Sequence, residues 1–270
     1  MNKPFANSLK ALGLALIMLV AGCNKGKDDK SLNIFSVEDD IELGKQVSQE
    51  IESNPQEYPI LPEAQYSLAY SHLHRITNNI LSSGKVFYKD KFEWKTKIIK
   101  DDNTLNAFCT PGGYIYVYTG LIKFLSSEDE LAGVLGHEIA HADRRHSTDN
   151  LTRQYGVSTL LSIVLGNNPG LIAEVAANLL ILKFSRENET ESDKYSVIYL
   201  NSTAYDARGV SRFFEKLISS GQSGNTPQFL STHPNPENRI QDITHEWEAL
   251  GSRTGETFEA QYQEFKNALP

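Results

Sequence analysis

Apolar positions recur at spacings of three and four along most of the chain, and that rhythm gives way to strand-like runs in one stretch near its middle. In "SVEDDIELGKQVSQEIESN" the apolar residues Ile41, Leu43, Val47 and Ile51 follow Ser36 and a run of acids. This predicts a helix capped by Ser36, with acidic residues in its first turn. A second helix is expected over 62–81, carrying Tyr66, Leu68, Leu73 and Ile76. "FEWKTKIIK" then shows a β-branched and aromatic bias, and "TLNAFCTPGGYIYVYTG" places two strand-like runs around Pro111, Gly112 and Gly113. Everything after Leu121 is helix-like. Three or four short strands set among helices predict an α+β, mainly helical domain with a small sheet.

Two apolar runs, 156–165 and 171–184, need a separate decision. Each is shorter than the ~18 apolar residues that argue for a membrane span, "GNNPG" divides them, and Glu174 interrupts the second. Buried helices or a helical hairpin are expected.

The amino terminus changes the picture of where the protein works. Lys3 and Lys10 precede an apolar run over 11–21, and small residues lead to Cys23. This is the pattern of a secretory signal, and its apolar run is too short to span a bilayer. Val20-Ala21-Gly22-Cys23 resembles the lipobox of bacterial lipoproteins, in which the cysteine is lipidated and becomes residue one of the mature chain. The expected organisation is a signal peptide over 1–22, lipidated Cys23 and a charged tether over 23–31, and a single domain over 32–270. Acyl chains would then hold the protein at a membrane surface. With 26 Lys and Arg against 34 Asp and Glu the net charge is −8, and loss of the two signal lysines makes it −10. Nucleic acid is therefore not an expected partner. Lipidation of Cys23 would leave Cys109 alone, so stability has to come from a core rather than from a disulfide.

The candidate chemistry lies in "AGVLGHEIAHADRRHS", which holds three of the chain's 7 histidines. His137 and His141 differ by four, so on a helix they share a face and can reach one ion. Glu138 is turned by about 100° but stays close enough to touch a water there. Leu131, Val134, Leu135 and Ile139 supply an apolar face, and Ser126 or Ser127 with Asp129 and Glu130 marks the helix start. A catalytic zinc needs a third protein ligand and one open position. His146 lies nine residues after His137, which on one continuous helix points it about 180° away, so it is expected at a helix end or in solvent. Arg144 and Ser147 stand where the long three-histidine motif has Gly and His. Downstream, Glu189 and Asp193 are again four apart; one can bind metal while the other orients a ligand histidine.

The segments "NAFCTPGGYIYVYTGLI", "ELAGVLGHEIAHADRRHS", "SRENETESDKY" and "THPNPENRI" run in the order of a known family. The chain resembles the zinc endopeptidases that include HtpX, the CAAX prenyl proteases and the mitochondrial Oma proteases, family forty-eight of the metallopeptidases. The resemblance covers most of 106–240 and is nearest to exported bacterial lipoproteins of the BepA and LoiP type. It implies a zincin-like fold with one Zn2+ held by His137, His141 and Glu189, with Glu138 as catalytic base and Asp193 behind the ligands. Glu191 shares the stretch, but the family's ligand precedes the aspartate by four. Ser192 stands where alanine is usual.

The implied reaction is peptide-bond hydrolysis, with the metal activating water and polarising the carbonyl while Glu138 moves the proton. Asn106, Ala107 and Phe108 are candidate substrate contacts on an edge strand beside the HExxH helix, which an extended polypeptide could join. The alternative is an ordinary hairpin supporting the core. His233 precedes Pro234 and a helix containing Arg239, Ile240 and Ile243. It is expected to stabilise the oxyanion, to occupy the open metal position in a latent state, or simply to start a helix. Misfolded or misassembled envelope proteins are the expected clients, since no prenylated substrate is expected behind a secretory signal. A chaperone-like protein with a latent zinc site is the competing reading. Asn24 after Cys23 favours an outer-membrane anchor facing the periplasm.

Overall fold

The computed structural model describes residues 35–168, 170–220, 228–233 and 236–270. The expected signal, Cys23 and the tether lie outside the described residues. Ser36 caps helix α1 (Val37–Ser53) through a reciprocal pair: its hydroxyl accepts from the Asp39 N–H at 3.0 Å, and the Asp39 carboxylate accepts from the Ser36 N–H at 2.9 Å. Leu43, Val47 and Ile51 are buried, as the spacing requires. Helix α2 (Ser67–Leu81) starts five residues later than expected, after turns that follow Pro62. Its inner face is Ala69, Tyr70, Leu73, Ile76 and Ile80, whereas Leu68 in the first turn is 58% exposed. Leu68 lies five residues before Leu73, about 140° around the helix, and so falls off this inner face.

Three strands follow: β1 (Lys95–Ile99), β2 (Ala107–Thr110) and β3 (Tyr114–Tyr118), in the order β1-β3-β2. β3 runs parallel to β1 and antiparallel to β2. The β2–β3 hairpin turns through Pro111–Gly113, where Gly112 has φ 74°. A Cβ on Gly112 would also come 3.0 Å from the Asp40 carbonyl oxygen, so glycine serves both the left-handed turn and the close passage of α1.

Alternation along the strands divides the apolar residues between two clusters. Phe108, Tyr114, Tyr116 and Tyr118 join the side containing α1, while Ala107, Cys109, Ile115 and Val117 join the side containing α2. After the sheet the chain is helical: α3 (Thr119–Phe124), α4 (Glu128–Asp143), α5 (His146–Tyr155), α6 (Val157–Val164), α7 (Gly170–Leu179), α8 (Arg186–Asn201), α9 (Gly209–Ser219), α10 (Gln228–Thr232), α11 (Pro236–Ala249) and α12 (Glu259–Asn267). This is the α+β, mainly helical architecture that the sequence pattern predicts.

Helix α4 is buried along its whole length and packs against β2 on one side and α8 and α9 on others. Gly136 permits the approach of α8, since a Cβ there would sit 2.8 Å from Ser196 Oγ. The two apolar runs form α6 and α7, which pack against α1 but are only partly covered: Leu165 is 70% and Ile181 63% exposed. Among the described residues, no helix is long and apolar enough to cross a membrane.

Candidate metal centre

Helix α4 begins after Ser127, whose extended backbone starts it, with Glu128, Asp129 and Glu130 in the first turn at the positive end of the helix dipole. That start places His137 and His141 on the face toward α8. Helix α8 is held by a reciprocal cap between Ser185 and Asn188, which brings Glu189 and Asp193 one turn apart on the opposing face. The Nε2 atoms of His137 and His141 are 2.9 Å apart, and Glu189 Oε1 lies 3.5 Å from the latter. His233, directly after α10, brings its Nδ1 to 2.9 Å from Glu189 Oε1 and 3.2 Å from His137 Nε2. One donor atom from each of these four side chains lies within 4.8 Å of the others, and all four residues are buried.

The protonation states suit a cation. Burial depresses both His137 and His141, the second well below its usual range despite the opposing Glu189 carboxylate, and so leaves lone pairs for a metal. Burial would raise Glu189, but His233, His141 and Arg239 together outweigh it and hold the carboxyl well below the usual range. Two neutral imidazoles and a carboxylate at this separation form a donor set that zinc accepts. His233 adds a fourth nitrogen; burial would lower its pKa, but the Glu189 and Glu138 carboxylates outweigh that and raise it, favouring the protonated ring where no metal is bound. Glu138 is completely buried, yet neither of its oxygens makes a hydrogen bond among the described residues. Its polar surroundings are the Cys109 thiol and His233 Nε2, the latter 3.6 Å from Oε1. Burial pushes its carboxyl up to about 7.

The sequence model of Peptidase family M48 matches residues 67–247, a span that contains all of these side chains. The chain belongs to this family. It is 33% identical over 159 residues to the mitochondrial metalloendopeptidase OMA1 of Schizosaccharomyces pombe, covering 57% of this chain and 47% of that protein. Against OMA1 of Arabidopsis thaliana the identity is 36% over 148 residues, covering 54% and 30%. The beta-barrel assembly-enhancing protease of Escherichia coli is 26% identical over 166 residues, covering 53% and 32%. The chain thus spans about a third to a half of the length of these curated relatives. Its M48 domain is a zinc metallopeptidase domain by family.

Behind the M48 donor cluster, Asp193 Oδ1 lies 2.9 Å from His137 Nδ1. Arg239 of α11 grips both oxygens of Asp193 at 2.6 Å and reaches Glu189 Oε2 at 2.7 Å. Sequence reasoning placed Arg239 on a helix but assigned it nothing. A signal existed, because Arg239 is four residues before buried Ile243 and therefore sits on that helix's apolar face. His233 keeps a helical hydrogen bond from its N–H to the Phe229 carbonyl at 2.7 Å, so the last turn of α10 sets its position.

His146 meets one half of an expectation and corrects the other. It is the first residue of α5, but it is buried rather than solvated, at 2% exposure. The chain leaves α4 after Asp143 and turns through Arg145 with φ 61°, so the projection along one continuous helix no longer holds. The His146 ring returns to His141, with the two Nδ1 atoms 3.1 Å apart. Glu191 faces His146 Nε2 at 3.1 Å and Arg144 Nε at 2.9 Å rather than joining the M48 donor cluster.

Strand β2, with Ala107 and Phe108, is an outer strand packed against α4 as expected, but Asn106, Ala107 and Phe108 are all buried. On its outer side the Leu105 carbonyl accepts from the Phe229 N–H at 3.1 Å, and the Cys109 carbonyl accepts from the Ser147 hydroxyl at 3.5 Å. The segment that carries His233 therefore also covers one end of this edge.

Proposed function

We propose that the protein is a zinc-dependent endopeptidase, tethered by lipidated Cys23 to a bacterial envelope membrane, that hydrolyses misfolded or misassembled envelope proteins. The observation that carries the catalytic part is the convergence of His137, His141 and Glu189 beside a buried Glu138 whose carboxylate oxygens make no hydrogen bond among the described residues. Those three residues are the ligands in this reading, and Asp193 orients His137 by accepting from its Nδ1–H. Bound zinc would supply a Lewis acid that lowers the pKa of water and polarises the scissile carbonyl. Glu138, with its carboxyl near 7, takes the proton of the attacking water and returns it to the leaving amine.

Substrate binding in this reading uses the outer edge of β2. Antiparallel alternation turns the main-chain groups of Ala107 the same way as the Leu105 and Cys109 carbonyls, toward the side an added strand would occupy. Asn106, directly before β2, has its Oδ1 buried without a hydrogen bond among the described residues. Main-chain recognition fits clients that are unfolded rather than of one sequence. The similarity to the beta-barrel assembly-enhancing protease supports an envelope client class. The Val20-Ala21-Gly22-Cys23 pattern supports the tether, and Asn24 after it supports an outer-membrane address. Zinc analysis of the purified protein, combined with casein cleavage with and without chelator, tests the activity; zinc-independent cleavage or none at all would overturn it.

His233 favours a second reading, in which the site rests in a latent state and the protein mainly holds clients. Its Nδ1 occupies the place of a fourth donor, and α10 joins it to the covered end of β2. Release of this segment would free the metal position and the strand edge together. The same side chain, once displaced, could steady the oxyanion.

A further inference from the structure

We propose that His146 is a positioning residue for His141, forming with Glu191 a hydrogen-bonded relay that fixes the tautomer and ring orientation of that ligand. The inference rests on the zinc-site reading and adds to it the residue that serves the second histidine. His141 turns Nε2 into the donor cluster, so its Nδ1 must carry the proton when Nε2 binds metal. The atom facing that proton is His146 Nδ1, at 3.1 Å. If His146 accepts there, its own proton sits on Nε2, and that nitrogen has an acceptor ready in Glu191 Oε2 at 3.1 Å. The direction of the whole chain follows from the requirement at its metal end: His141 donates to His146, and His146 donates to Glu191.

The surroundings hold this relay in place. Arg144 Nε donates to the other oxygen of Glu191 at 2.9 Å, and its guanidinium lies 4.7 Å from the centre of the Tyr195 ring. Ser192 Oγ, at 3.2 Å from the same His146 nitrogen, supplies a polar neighbour where alanine would offer none. The two imidazole planes are inclined by 76°, with centroids 5.1 Å apart, an edge contact compatible with an in-plane hydrogen bond. The arrangement parallels the one behind His137, where Asp193 accepts from the ligand and Arg239, lying 4.4 Å from the centre of the Phe214 ring, holds the acid. Each ligand histidine is thus backed by an acid and an arginine set over an aromatic ring, but on the His141 side a histidine is interposed.

The test uses the purified full chain and zinc competition against a chromophoric chelator, which reads affinity without activity. His146→Leu keeps the bulk and removes the acceptor, whereas His146→Asn places an amide oxygen near the position of Nδ1. The expected result is a zinc affinity ~10–100-fold weaker in the leucine variant, with the asparagine variant close to wild type. In the zinc-loaded, 15N-labelled wild type, the His141 Nδ1–H proton should show coupling through the hydrogen bond to His146 Nδ1. That spectrum decides the matter even if the leucine variant does not fold. Unchanged affinity in a folded leucine variant, equal weakening by asparagine, or no such coupling would overturn the proposal. Failure of the wild type to bind zinc would overturn the underlying site reading instead, so the two failures are distinguishable.

Discussion

Asp193 touches His137 and is itself clamped by Arg239, with Asp193 Oδ1 2.9 Å from His137 Nδ1 and 2.6 Å from the guanidinium. The arginine, the acid and the imidazole come from α11, α8 and α4, so one buried contact ties three helices to the metal centre. Asp193→Asn should weaken zinc binding by ~10–100-fold, because the acceptor behind His137 loses its charge. Asp193→Ala should in addition destabilise the fold by about 3 kcal/mol, since Arg239 is then left with Glu189 as its remaining buried acid. Chelator competition and denaturant unfolding measure the two effects separately; a fully stable alanine variant would show that the pair is not structural.

Glu189→Ala should lose most of the bound zinc while His137 and His141 remain. A carboxylate is removed from a site that has only two other ligands in the active reading, and His233 cannot replace its charge. Metal content measured by atomic emission decides it, and undiminished zinc would strike Glu189 from the ligand set.

Glu138→Gln should retain zinc and fold but lose peptide hydrolysis by a factor of about 10² to 10⁴, the usual contribution of a positioned proton acceptor. The amide is nearly isosteric and leaves every donor in place. Near-normal turnover of casein would remove Glu138 from the mechanism, and a client still captured by this variant would support a holding role.

His233→Ala should raise basal proteolysis. The imidazole stands at the fourth donor position, so its removal opens the place that water must occupy. A fall of about 10² to 10³ in kcat would instead assign His233 to the oxyanion. An unaltered rate would leave neither role.

Cys23→Ser should move the protein from the membrane fraction to the soluble fraction and abolish lipid labelling, because acyl chains supply the attachment in the proposed arrangement. Persistent membrane association would point to retention of residues 1–22 or to the exposed apolar side chains of the α6–α7 region, such as Leu165 and Ile181.

What the sequence determined by itself is whatever depends on neighbours within one or two turns. Ser36 and Asp39 announce the start of α1, the aromatic and β-branched run from Tyr114 to Tyr118 announces a strand, and the four-residue spacings of His137 with His141 and Glu189 with Asp193 place each pair on one helix face. Motif order carried the family, and with it the expectation that the two faces meet. The tertiary structure decided which long-range partners stand behind them. Arg239 lies 46 residues from Asp193 and 102 from His137, distances that no periodicity spans. Its contacts follow from the packing of α11 on α8. His146 was misread because the left-handed turn at Arg145 reverses the chain, and arginine gives no local sign of a positive φ. In each case the local pattern specified an element, while close packing between elements chose which face of it met the site.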